Sequence, residues 1–152
     1  METTEKETVS LLNDLVVINN DRIEGYKKAA EETDDIDLKA LFNGMAAESR
    51  QFKAELSAEI VRLGGTVDEG TKTSGKIYRA WMDIKAALTG KDRKAIISSC
   101  EFGEDAALEE YKDVLNSDDL SPECRVIVNK QRDRIQKSHD QIKLMRDNLE
   151  TT

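Results

Sequence analysis

A single proline, Pro122, in 152 residues leaves little to interrupt a helix. Eight glycines and 5% aromatic residues are likewise too few for the turns and cross-strand pairs of a sandwich or barrel. Two cysteines, Cys100 and Cys124, cannot form a disulfide framework, and with neither CxxC spacing nor a neighbouring histidine they read as small buried hydrophobes. His139 is the only histidine, which excludes any site built on two imidazoles of one chain. No apolar run approaches the roughly 20 residues that span a bilayer. Residues 1–7 lack the basic and apolar regions of a signal peptide, so the expected location is the cytoplasm. Basic residues are the minority, 23 against 31 acidic ones, and no basic block occurs. The net charge of -8 repels phosphate backbones and anionic lipid, which argues against nucleic-acid and membrane partners. GxGxxG, GxxxxGK, GxSxG and HExxH are all absent, and no catalytic residue is assigned.

What is present is charge and helical periodicity. Charged residues make up 36% of the chain, and 152 residues fit one domain, 1–152. A first helix to about Glu32 opens on the capping-box pattern Thr4-Glu-Lys-Glu7 and carries Val9, Leu12, Val16, Asn19, Ile23, Tyr26 and Ala30 on one stripe, broadened by Leu11, Leu15 and Ile18. After a short turn at 33–35, a second helix presents Leu38, Phe42, Met45, Ser49, Phe52, Leu56, Ile60 and Leu63, and Gly64-Gly65 stops it. Its small residues Ala40, Gly44, Ala47, Ala54 and Ala58 would admit a close neighbouring helix. Residues 64–73 read as irregular. A short helix from about Lys76 to Leu88 carries Ile77, Trp81, Ile84 and Leu88 and closes at Thr89-Gly90. The third long helix spans about 92–116. Ser121-Pro122 then opens a fourth, with Cys124, Ile127, Gln131, Ile135, Ser138, Ile142, Met145 and Leu149 turned inward.

Four long helices, two tight turns and one connection of about 27 residues predict an all-α four-helix bundle. If the long connection runs the length of the bundle, about 40 Å, the second and third long helices become parallel, with the Trp81 helix in the crossover between them.

The third long helix sets a carboxylate into its apolar stripe. Ile96, Cys100, Gly103, Ala107, Tyr111 and Val114 recur at three- and four-residue steps, and Glu104 points within about one eighth of a turn of their common direction. In the lengthwise topology Asn19, Glu48, Ser49 and Glu104 fall at one level, with Ser138 and His139 just above and Gln131 just below. This is either a hydrogen-bonded layer that fixes helix register or a site for one ion on Glu48, Glu104 and His139. As a layer residue, Glu104 is expected to be protonated or to meet Asn19, Gln131, His139 or the tyrosines.

Gly25-Tyr26-Lys-Lys-Ala-Ala30, Tyr78-Arg-Ala-Trp-Met-Asp-Ile-Lys-Ala-Ala-Leu-Thr-Gly90, Cys100-Glu-Phe-Gly-Glu-Asp-Ala-Ala107, Tyr111 and His139-Asp140 together resemble a family of small, uncharacterised bacterial four-helix-bundle proteins of the ferritin-like superfamily. The resemblance implies a ferritin-like bundle and no defined activity. A dinuclear iron or manganese centre of that superfamily needs a Glu on each of two helices and Glu-x-x-His on the other two. Here Gln51 follows Glu48 where a histidine belongs, Gln136 precedes His139 where a glutamate belongs, and Glu24 points away from the first stripe. No cofactor is expected on the leading reading, a non-catalytic bundle acting through protein association or as a stress-related accessory. A metal-binding oxidoreductase with an incomplete iron or manganese site is the alternative, and a carrier with a cavity between helices is a third. Trp81 either covers one side of the bundle or anchors a homodimer contact.

Overall fold

The computed structural model describes residues 3–71 and 75–150. Among these residues the chain is all helical, with α1 Thr3–Glu32, α2 Ile36–Arg62, α3 Gly75–Gly90, α4 Arg93–Leu115 and α5 Pro122–Glu150. Lys72 and Thr73, the end of the stretch expected to be irregular, lie outside the described residues.

Local chemistry explains most of the boundaries. α2 ends in a Schellman motif: Gly64 adopts φ 83° while the Gly65 and Gly64 amides donate to the carbonyls of Ile60 and Val61. Gly65 is also tightly approached, since a Cβ there would lie 2.6 Å from Val9. α3 overruns the Thr89-Gly90 stop. Its left-handed residue is Lys91, φ 55°, with the Lys91 and Asp92 amides returning to Leu88 and Ala87. Asp92 caps α4 by accepting from the Ala95 amide, and Ser121 accepts from Cys124 ahead of Pro122 as its position predicts. Thr4 lies inside α1 and does not cap it.

Direction follows from the ends. Arg93 Nη2 lies 2.5 Å from Asp37 Oδ2 and Nη1 lies 3.2 Å from Asp35 Oδ2, so α4 starts beside the start of α2 and the two helices run parallel. The connection between them travels lengthwise. Gly65 packs at Val9, the Asn13 side chain bonds the backbone of Thr66 and Asp68, and Asn20 Nδ2 donates to the carbonyls of Asp68 and Gly70. Two asparagines of α1 thus hold an extended segment along the helix, after which α3 continues until Lys91 meets Asp34 at 3.4 Å.

The interior divides in two. One apolar cluster gathers Val9 to Ile18, Phe52 to Ile60, Ile77, Ala107 to Val114 and Cys124 to Ile135. The other gathers Tyr26 to Ala30, Leu38 to Ala46, Ile84 to Leu88, Ile96 to Cys100 and Ile142. Trp81 packs against both. The α2 stripe is buried as its spacing predicts, except for a half-buried Leu63. On α5, Val128 takes the buried position and Ile127 is only half buried. Ala40, Gly44, Ala47, Ala54 and Ala58 are exposed, so no helix among the described residues uses that small-residue face. No helix among the described residues is long and apolar enough to cross a membrane.

Candidate functional site: a buried arginine between two carboxylates

The gap between the two apolar clusters is filled by polar side chains from α1, α2 and α4. Its centre is Arg22, 1% exposed. Arg22 Nη2 lies 2.9 Å from Glu104 Oε1 and 3.6 Å from Glu48 Oε1, and Nη1 donates to Ser49 Oγ at 2.6 Å. The Tyr26 hydroxyl donates to the same Glu104 oxygen at 2.6 Å, and the guanidinium carbon stands 5.7 Å from the Tyr26 ring centroid. Helix geometry makes this compact: Arg22 and Tyr26 are one turn apart on α1, so both reach across to one carboxylate on α4.

The electrostatics follow from burial. Burial opposes the charge on Arg22, but the carboxylates of Glu104 and Glu48 outweigh it and hold the guanidinium more firmly protonated than in water. Burial, reinforced by Glu104, pushes the Tyr26 hydroxyl well above its ordinary value of 10.0, so it remains a donor. Burial also raises Glu48 despite Arg22 and Arg134 beside it. Arg134 Nε stands 3.7 Å from Glu48 Oε2, and Ser138 Oγ donates to Glu48 at 3.4 Å, so an ionic chain leads from the surface to the core.

A second polar tier lies one level away. Asn19 Nδ2 donates to the Tyr111 hydroxyl at 2.9 Å, Tyr111 donates to Gln131 Oε1 at 2.6 Å, and Gln131 Nε2 donates to Glu55 and to the Phe52 carbonyl. Burial likewise raises the Tyr111 hydroxyl. Among the described residues Asn19 Oδ1, Arg22 Nε and Glu104 Oε2 find no partner. Each such buried orphan carries a penalty of about 1–3 kcal/mol.

Glu48 and Glu104 therefore meet at one guanidinium. His139 does not join them: its Nε2 lies 2.8 Å from Asp105 Oδ1 and 3.9 Å from Glu101 Oε1, and its Nδ1 lies 3.2 Å from Asp140. Glu101, 8% exposed, is held in turn by Arg146 at 2.5 Å. Among the described residues no group of three or more His, Cys, Asp or Glu side chains is arranged to hold a metal ion. Among the described residues, Tyr26 is the expected partner that reaches Glu104; Asn19 and Gln131 serve Tyr111 instead.

Sequence reasoning missed Arg22, although a signal existed. Leu15, Ile18, Arg22 and Ala29 sit at three-, four- and seven-residue steps, so Arg22 continues the flank of the first stripe. A cation on an apolar flank, paired with a carboxylate on another apolar face, is a pattern that pairs across a core.

The model of a family described as Domain of unknown function (DUF2383) matches residues 7–117, a stretch that contains Arg22, Glu48 and Glu104 and ends before α5 and His139. No curated protein matches the chain.

Proposed function

The chain belongs to the DUF2383 family, whose description names no activity, and from that premise we propose that it is a bacterial, ferritin-like bundle without catalysis. It works through protein association in the cytoplasm, or as a stress-related accessory, and its buried cluster maintains the bundle. The observation that carries this reading is Arg22, whose guanidinium lies between Glu48 and Glu104 with nitrogens at 3.6 and 2.9 Å. In a ferritin-like bundle the carboxylates of facing helices hold cations. In this chain an arginine, which does not give up its proton, supplies the positive charge permanently. Two thiols kept apart in separate apolar clusters, Cys100 and Cys124, agree with a reducing compartment.

The competing reading, an iron or manganese oxidoreductase on Glu48, Glu104 and His139, draws support from the first two residues sharing one level. Metal content separates the two. Protein purified without chelator is expected to contain well under one iron or manganese per chain, and added Fe(II) or Mn(II) should leave its Tm unchanged. About two metals per chain, or a metal-dependent rise in Tm that Glu104→Gln abolishes, would overturn the proposal in favour of the oxidoreductase.

A further inference from the structure

α3 lies against both α1 and α4, and two glycines make its seat. A Cβ at Gly25 on α1 would come 2.5 Å from the Trp81 indole, and one at Gly103 on α4 would lie 3.5 Å from the Ala80 methyl. Glycine weakens a helix interior, yet it stands where two successive residues of α3 press on their neighbours. The seat leads inward. The Trp81 ring meets Tyr26 edge-on at 4.8 Å, and the Tyr26 hydroxyl donates to Glu104 at 2.6 Å, so α3 covers the tyrosine that holds the buried carboxylate.

The long helices are tied to one another by polar pairs. α1 is joined to α4 through Arg22–Glu104 and Asn19–Tyr111, α2 to α4 through Asp37–Arg93, α2 to α5 through Glu55–Gln131, and α4 to α5 through Glu101–Arg146. Among the described side chains, none of α3 is hydrogen-bonded or ion-paired to another helix; Thr89 Oγ donates to the Lys85 carbonyl within α3 itself. Trp81 Nε1 is buried without a partner among the described residues. The buried side chains of α3 are Ile77, Ala80, Ile84, Ala87 and Leu88, two of them alanines, while Tyr78 and Met82 stay outside at 39% and 46% exposure. A groove of about 270 Å³ between α1 and α3 leaves the packing on that side incomplete. Both ends of α3 sit on left-handed backbone, Gly75 at φ 88° and Lys91 at φ 55°. Few buried apolar contacts and few bonds to neighbours mark a segment that opens ahead of global unfolding.

We propose that α3 is a cover, which lifts from α1 and α4 as a unit, turning at Lys91, while the four long helices stay packed, and so gives solvent a route to Tyr26 and Glu104. Seated, Trp81 in the Gly25 notch keeps it shut. Once lifted it unwinds, because a 16-residue helix is marginal by itself. The inference concerns access to the polar layer, and it holds whether or not the chain has a partner.

The test uses the full chain. Trp81 is the lone tryptophan, so its emission reports the cover, whereas far-ultraviolet dichroism is dominated by the four long helices. In urea the emission should shift to the red at a lower concentration than the main loss of dichroism. Native-state hydrogen exchange should find the α3 amides opening together, at least about tenfold faster than the buried amides of α2 and α4. Gly25→Ala, which favours the helix of α1 but sets a Cβ against the indole, should lower the emission midpoint while the dichroism midpoint holds or rises. A bridge should do the opposite. With Cys100→Ala and Cys124→Ala in the background, Ala80→Cys and Gly103→Cys place two Cβ atoms at the 3.5 Å that a disulfide spans, and the oxidised chain should lose the early emission step and recover it on reduction. Coincident emission and dichroism transitions in the wild type, with α3 amides exchanging as slowly as those of α2, would overturn the proposal. So would an early emission step that the oxidised bridge leaves in place.

Discussion

At the scale of single residues, Arg22 and Glu104 are worth more as a pair than either is alone. A buried charge that loses its partner keeps its desolvation penalty, typically about 3–5 kcal/mol. Glu104→Gln keeps shape and one hydrogen bond but leaves Arg22 facing only Glu48 at 3.6 Å, so chemical denaturation should register a loss toward that range. A layer held by neutral amides would have tolerated the same isosteric change; a loss under about 1.5 kcal/mol would mean that the ion pair is not what holds Glu104. Tyr26→Phe removes one donor to the carboxylate and should cost about 2 kcal/mol. The tyrosines also fix the response to alkali. Burial pushes Tyr26, Tyr111 and the Cys100 thiol upward, with Glu104 adding to the first and last, so the folded chain holds these protons to higher pH than the unfolded chain. The stability they contribute is whole below the ordinary values of 9.0 for the thiol and 10.0 for the phenols, and is lost as pH climbs above them. Tyrosinate absorbance from Tyr26 and Tyr111 should therefore appear together with loss of helicity, not before it. Ionisation of both in a chain that is still fully helical would contradict their burial.

At the scale of elements, what the sequence revealed depended on whether a helix is read from its own stripe or from its neighbours. The stripe of α2 is apolar at every step but Ser49, so periodicity alone located its buried face. α1 is harder, because it is gripped on several sides at once. Asn13 and Asn20 hold the extended crossover segment while Arg22 and Asn19 face the core, so polar side chains occupy inward positions and a face read from apolar residues alone leaves Arg22 out. The small residues of α2 illustrate the converse: spacing permits close packing, but only tertiary contact decides whether a helix arrives, and among the described residues none does. The end of α3 was misjudged by one step because glycine is the usual left-handed terminator, yet Lys91 takes that conformation at φ 55° while Gly90 stays helical. A lysine there pays about 1 kcal/mol in backbone strain. Lys91→Gly should accordingly stabilise the chain by up to about 1 kcal/mol, read as a Tm increase of a few degrees. An unchanged or lowered Tm would mean that strain at this turn is negligible.

At the scale of the whole molecule, the polar layer raises a question that stability does not answer. It splits the interior into two apolar clusters and leaves Asn19 Oδ1, Arg22 Nε and Glu104 Oε2 without partners among the described residues, so an apolar filling would bury as much surface without those penalties. What the layer supplies instead is position. A helix displaced by one turn, about 5.4 Å, still finds apolar neighbours along most of its stripe, but it would carry Arg22 out of reach of Glu104 and strand both charges. The tilt and slide of α1 against α4 are thereby tied to one level, and Asn13 and Asn20 of α1 also hold the lengthwise connection between α2 and α4. The expected result for the double variant Arg22→Met with Glu104→Leu follows. Removing both charges together should recover most of what either single change loses, bringing stability to within about 1 kcal/mol of the wild type or above it. Register should loosen at the same time, seen as broadened or doubled amide resonances in α1 and α4 and faster hydrogen exchange on both sides of the layer. A double variant that is stable and still gives one sharp set of resonances would mean that apolar packing and the crossover alone set the register, and that the buried ion pair is not what aligns the bundle.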